Sequence, residues 1–375
     1  MTEPSAPQMA ATGPVPPRGQ ATPDEVDAMR RALALAAAVT PAPAPNPRVG
    51  AVILDRTGAT VGTGAHERAG GPHAEVLALA AAGDRARGGT IVVTLEPCAH
   101  TGRTGPCTEA LIAAGITRVV FAQADPNPAA AGGAEHLRAA GLDVIPGVLA
   151  ADAQALTWDW ATAVARSRPV VIWKVATTLD GRVAAADGTS RWITGSQARA
   201  EVHDLRADVD AVMVGTGTAL IDDPQLTARR ADGSLHDRQP LRVIVGTRDL
   251  PPTSRILDDA APTVHLRTRD PHEALTMLHD RGVRTVLLEG GATLASAFLR
   301  VGLIDRIRWY VAGLLLGDGP SAVASIGAGT LAAGLRLVVD DVHVVGADVR
   351  IDAHPDTADT ADTADTADTA DTGQE

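Results

Sequence analysis

Both cysteines of this 375-residue chain, Cys98 and Cys107, fall in one stretch that also holds His73-Ala74-Glu75. That coincidence limits what residues 66–107 can fold into, because three soft or borderline donors must converge on one point. A chain that places both its thiols beside one His-x-Glu is built for a metal, and the donor set selects zinc. Catalytic zinc takes three protein ligands and keeps a fourth position open, and His73, Cys98 and Cys107 supply three. Cys98 follows a buried-type strand, TIVVTLE, and Cys107 opens a helix, where the positive helix end favours a thiolate. Glu75 is two residues from the ligand histidine. On a regular helix the two would diverge, so the pair can act together only in the first helical turn. There Glu75 sits by the metal and moves protons without being a ligand, the division of labour of zinc deaminases.

The surrounding pattern is α/β. Thr22, Pro23 and Glu25 form an N-cap, a first-turn proline and a capping-box acid, followed by Val26, Met29, Leu33 and Ala37 on one helical face. Pro41 to Pro45 ends that helix. After Asn46-Pro47-Arg48-Val49-Gly50 come strands AVILD and ATVGTGA, a helix from His73 to Gly83, strand 90–96 and a helix after Cys107. Strand 117–123, helix 134–141 and strand 142–148 complete the region. The order αββαβαβαβ predicts a three-layer α/β/α domain with a largely parallel sheet over 22–150. Residues 151–168 read as a linker helix. A second α/β domain follows over 169–354, with strands at VVIWKVATTLDG, DAVMVGT, LRVIVGT, TVHL, TVLLEG, IRWYVAGLLL and two segments after Leu335. Its helices fall at 196–206, 271–281 and 292–301. Residues 1–21 are rich in Pro, Ala and Gly, and 355–375 repeat Asp-Thr-Ala with nothing apolar larger than Ala; both read as disordered.

Charge removes several function classes. The net charge is −12, and seven of the acids lie between Asp356 and Glu375, so the body is mildly acidic. That is not the basic footprint of a nucleic-acid binder. No apolar run is long enough to cross a membrane, and the first twenty residues lack a signal-peptide pattern, so a cytoplasmic setting is expected.

The eight residues between Cys98 and Cys107 depart from the Pro-Cys-x-x-Cys of nucleobase deaminases. Glu96-Pro-Cys-Ala-His-Thr-Gly-Arg-Thr-Gly-Pro-Cys107 instead resembles the bifunctional riboflavin-biosynthesis deaminase/reductase family. So do Asn46-Pro-Arg-Val-Gly50, His73-Ala-Glu75, Asp125-Pro-Asn-Pro128 and Thr178-Leu-Asp-Gly-Arg182. Ser190-Arg-Trp-Ile-Thr194, Asp222-Asp-Pro224 and Glu289-Gly-Gly291 extend the resemblance over about residues 24–350. It implies a cytidine-deaminase-like first domain with one zinc per chain, Glu75 as the catalytic acid/base, and Asn46, His66, His100 and Arg103 on the substrate. It also implies a dihydrofolate-reductase-like second domain that uses NADPH. There Ala176, Trp192, Thr218, Asp222, Thr247 and the turn Gly291-Ala292-Thr293 would meet the cofactor. Lys174, Ser190, Arg206, Leu226, Arg229 and Glu289 would meet the substrate. The implied partner is a small phosphorylated pyrimidine, not nucleic acid or membrane, with self-association through the reductase domain.

The residues of the second half say less on their own. Val214-Gly-Thr-Gly-Thr218 lacks the third glycine of a dinucleotide fingerprint and reads as a tight βα turn. Gly290-Gly291 precedes a helix whose first N–H groups could bind phosphate, with Arg206 and Arg229 as candidate partners. Trp173 and Trp192 read as core. Two other functions compete. One is a nucleic-acid base deaminase with a non-catalytic C-terminal domain, which the acidic body disfavours. The other is a binding protein with a structural zinc, which an acid beside only three ligands disfavours.

Overall fold

The computed structural model describes residues 19–40, 42–100, 105–127 and 130–356. The expectations for residues 1–18, Arg103 and the tail beyond 356 lie outside them. The chain divides into two compact units, Met1–Ala165 and Arg166–Glu375.

The first unit opens with α1 (Pro23–Ala37), capped as expected: Glu25 N donates to Thr22 Oγ1 at 3.2 Å, and Thr22 N donates to the Glu25 carboxylate at 2.8 Å. Its buried stripe is Ala28, Met29, Ala32 and Ala36, whereas Ala37 is exposed. The expected stripe of Val26, Met29, Leu33 and Ala37 is therefore rotated. The cause is the contact with β1 (Gly50–Leu54). A Cβ on Gly50 would lie 2.0 Å from the Ala32 carbonyl oxygen, so only a helix face of small residues can come this close.

β1 pairs antiparallel with β2 (Thr60–Ala65). Next come α2 (Ala74–Ala82), β3 (Thr90–Leu95), α3 (Cys107–Ala113), β4 (Arg118–Gln123), α4 (Gly133–Ala139) and β5 (Asp143–Ile145). The sheet order is β2-β1-β3-β4-β5. β3, β4 and β5 are parallel, but β1 is antiparallel to both its neighbours. The sheet is thus mixed rather than largely parallel: β2 and β3 run the same way, and β1 lies between them. Alternate β1 residues feed two cores. Ile53 faces α2, α3 and α4, and Val52 and Leu54 face α1. The helix expected as a linker, α5 (Ala150–Arg166), packs on this unit. Ala153 is in its core, Gln123 Nε2 donates to Thr157 Oγ1 at 2.7 Å, and Trp160 Nε1 donates to Pro45 O at 3.0 Å.

The second unit runs β6 (Val170–Thr178), α6 (Ser196–Asp208), β7 (Ala211–Gly215), α7 (Thr216–Asp222), β8 (Leu241–Val245) and β9 (Thr263–Leu266). It continues with α8 (Pro271–His279), β10 (Thr285–Leu288), α9 (Ala292–Arg300), β11 (Arg306–Ala312), β12 (Leu337–Val345) and β13 (Asp348–Pro355). The eight strands order as β12-β13-β11-β6-β10-β7-β8-β9. The six from β11 to β9 are parallel, with an antiparallel β12–β13 hairpin on one edge. Helix α7 stands where the sequence reads as a tight turn; seven residues, one of them Gly217, are too few for a periodic signal. Trp173 is core and meets Trp309 edge-on at 5.5 Å. Trp192 is not core: it is 69% exposed, with the Arg199 guanidinium 4.4 Å above its ring. It lies in the irregular segment between β6 and α6, away from the burial that strand pairing imposes.

Candidate active sites

β3, the central strand, ends at Leu95 and delivers Pro97-Cys98 just beyond its carboxyl end, while α3 begins at Cys107. His73 is the N-cap of α2, with extended backbone, so its ring leaves the helix axis. Its Nδ1 lies 3.1 Å from Cys107 Sγ and 3.7 Å from Cys98 Sγ. The three donor atoms fall within 4.8 Å of one another, and this is the one such group among the described residues. Ordinary Zn–N and Zn–S lengths in a tetrahedron place N and S ~3.6 Å apart, so the residues fit the ion. The thiols point the same way. By themselves they hold one proton between them: a hydrogen bond from Cys107 draws Cys98 down to about 4, and that bond together with burial pushes Cys107 up. Two thiolates this close need a cation.

Glu75 lies in the first turn of α2, 4% exposed. Burial holds its carboxyl above the usual range, against a hydrogen bond from its own backbone N–H and the pull of His73. The buried His66 donates from Nδ1 to Pro72 O at 3.0 Å, because a carbonyl can only accept. Nε2 is then the acceptor for Asn46 Nδ2 at 2.9 Å. Burial keeps this imidazole neutral, and its ring stands edge-on to His73 at 5.3 Å. Asn46 and His66 are thus brought to the metal group. His100 is exposed and near Asp125, whose carboxyl is pushed up mainly by burial.

Two supporting residues escaped sequence reading. Glu96 is buried, and its carboxylate accepts from Ala134 N at 2.8 Å and Asp125 N at 3.2 Å, tying the end of β3 to α4. The signal was an acid at the end of an apolar strand. A Cβ on Gly133 would lie 1.8 Å from Pro97 O, one residue before Cys98. Gly133→Ala is expected to destabilise the first unit by about 1–3 kcal/mol through overpacking and to weaken zinc retention. Denaturant melts with zinc titration check this; unchanged metal affinity would separate the contact from the site.

The second unit holds a cleft of about 1580 Å³ reached by the carboxyl ends of β6, β7 and β10. Arg206 grips Glu289 bidentately, Nε to Oε1 at 2.6 Å and Nη2 to Oε2 at 2.9 Å. Burial pulls the Glu289 carboxyl up, but Arg206 and Lys174 outweigh it and leave it below its usual range. Burial draws the Lys174 ammonium down, with Glu289 opposing. Lys174, Ser190, Arg206, Leu226, Arg229 and Glu289 all line this cleft, and so do Ala176, Trp192, Thr218, Asp222 and Gly291 to Thr293. Gly291 N donates to Thr218 Oγ1 at 3.2 Å, joining α7 to the start of α9. Thr247 is not among the lining residues, although Gly246 and Arg248 are; its hydroxyl accepts from Arg269 at 3.5 Å. Nine arginines and Lys174 line the cleft against three carboxylates, a balance that suits polyanions. Sequence singled out Arg206 and Arg229 alone among the nine, because an arginine is usually solvated.

Residues 23–123 match the family described as the cytidine and deoxycytidylate deaminase zinc-binding region, and residues 169–351 match the RibD C-terminal domain. With the two sites above, these matches define a deaminase joined to a reductase. The riboflavin biosynthesis protein RibD of Mycobacterium tuberculosis is 52% identical over 324 residues, covering 86% of this chain and 95% of that protein. The Escherichia coli protein of that name is 38% identical over 355 residues, 86% and 96%. The structure of Acinetobacter baumannii RibD matches with TM-score 0.82 at 40% identity, covering 89% and 99% of the two chains. A Thermotoga maritima structure, described as a diaminohydroxyphosphoribosylaminopyrimidine deaminase/5-amino-6-(5-phosphoribosylamino)uracil reductase, matches with TM-score 0.80 at 33% identity and the same coverage. The chain belongs to the RibD family, the bifunctional deaminase and reductase of riboflavin biosynthesis. Among the described residues no helix is long and apolar enough to cross a membrane.

Proposed function

We propose that the first unit hydrolytically deaminates 2,5-diamino-6-(5-phosphoribosylamino)pyrimidin-4(3H)-one. The second unit then reduces the ribosyl group of the product, 5-amino-6-(5-phosphoribosylamino)uracil, to ribityl with NADPH. The observation that carries this reading is the convergence of His73, Cys98 and Cys107 with Glu75 buried beside them. These three residues hold one zinc per chain, which when bound supplies a water acidic enough to ionise near neutral pH. Glu75 takes a proton at its carboxylate and returns it to the departing ammonia. Asn46, oriented by the neutral His66, holds the pyrimidine, and His100 and Arg103 complete the substrate loop.

In the second unit NADPH supplies the hydride, so the protein's work is orientation and charge placement. Ala176, Trp192, Thr218, Asp222, Thr247 and Gly291 to Thr293 take the cofactor. Lys174, Ser190, Arg206, Leu226, Arg229 and Glu289 take the substrate, with Lys174 and Glu289 nearest the ribose. The chain works in the cytoplasm on small phosphorylated pyrimidines rather than on nucleic acid or membranes. It self-associates through the reductase unit. The edge strand β12 supports this, since Val338, Val339, Val342 and Val344 are all exposed along it.

A coupled assay tests the order of steps. NADPH oxidation is expected only when the deaminated product is present, whether made in place or added. The Glu75→Gln protein given that product should oxidise NADPH at the wild-type rate. Oxidation by the Glu75→Gln protein with the undeaminated substrate, or none with the product, would overturn the assignment of the second unit.

A further inference from the structure

Two arginines on the reductase cleft share one side-chain acceptor, and among the described residues no carboxylate pairs with either guanidinium. Gln225 Oε1 accepts from Arg229 Nη2 at 2.9 Å and from Arg255 Nη2 at 3.0 Å. Two guanidiniums therefore stand side by side on the cleft wall. The nearby carboxylate is already committed: Asp258 accepts from Gln225 Nε2 at 2.7 Å and holds the fully buried Arg242 at 2.7 Å. Two other cleft arginines are paired with carboxylates, Arg206 with Glu289 and Arg230 with Asp237 at 3.1 Å. Arg229 and Arg255 are not.

The fold holds this pair in place. Leu226 and Ile256, the neighbours of Gln225 and Arg255, are buried in one shared core cluster. Asp223 and Leu226 sit at φ 40° and 53°, left-handed backbone that costs free energy and survives where the surroundings enforce it. Asp223 Oδ1 also accepts from Arg255 N at 2.7 Å. The loop lies at the substrate end of the cleft, because Thr227 O accepts from Arg206 Nη1 at 3.3 Å. The cofactor-side contact, Thr218 to Gly291, lies at the carboxyl ends of β7 and β10.

Like charges held together repel until an anion bridges them, and a phosphate can accept from both guanidinium forks. We propose that Arg255 joins Arg229 in a two-guanidinium clamp for the 5′-phosphate of the reductase substrate, with Gln225 as the residue that positions both. This rests on the reductase reading given above and adds two residues to it.

The test uses the full-length protein with the phosphorylated aminouracil substrate and the same compound lacking its phosphate. Arg255→Ala should raise KM for the phosphorylated substrate about tenfold or more, and Gln225→Ala by a smaller factor. KM for the dephosphorylated compound should not move in either variant, nor should KM for NADPH. Arg255→Lys should recover part of the loss. Equal losses with and without the phosphate would reduce Arg255 to a structural role. A rise in KM for NADPH would assign the clamp to the cofactor, and no change would remove it; each overturns the proposal. If wild-type protein oxidised NADPH with neither compound, the reductase reading would fall first and this assignment with it.

Discussion

Glu75→Gln is expected to retain zinc and to lose deamination by about 10³–10⁴-fold, the scale of general acid–base catalysis. The substitution keeps the shape of a side chain that is 4% exposed. It removes the carboxylate beside His73, Cys98 and Cys107 that takes and returns the proton in the proposed mechanism. Because the three ligand atoms are untouched, metal content by elemental analysis should equal that of wild type. Loss of zinc in this variant would mean that Glu75 helps hold the ion. Full activity with zinc present would end the proposed mechanism.

Arg206→Met should abolish reduction and destabilise the second unit by about 3–5 kcal/mol, the usual cost of leaving one member of a buried ion pair uncompensated. Glu289 would remain with side-chain exposure of 9% and Lys174 and His203 to oppose its charge. Denaturant melts followed by a probe in the second unit should show the loss, while ammonia release continues. If stability held and only KM for the substrate rose, Arg206 would be a ligand rather than the support of Glu289.

Much of the first site was legible because its signals are local. Thr22, Pro23 and Glu25 act within one helical turn, and the cap forms as read. His73, Cys98 and Cys107 each sit at the end of an element, where strand and helix boundaries are readable. What stayed hidden depends on partners distant in the chain. The rotated stripe of α1 follows from Gly50, and the importance of Gly133 follows from Pro97. The antiparallel position of β1 is a choice of neighbour that the order of elements does not express. In the second unit the resemblance named the residues, but the exposure of Trp192 and the sharing of Gln225 by two arginines came from tertiary structure.

The arginine-lined cleft carries one further consequence. In the proposed reaction NADPH and the phosphorylated substrate are both anions, and both would meet the same arginine-lined cleft. Whichever arrives first consumes part of the attraction that would draw in the second, so the two ligands work against each other electrostatically even as they pack together. The field also reaches outward only as far as dissolved ions allow, about 8 Å at physiological ionic strength. The pull of the reductase cleft on its proposed ligands is therefore expected to weaken as salt rises.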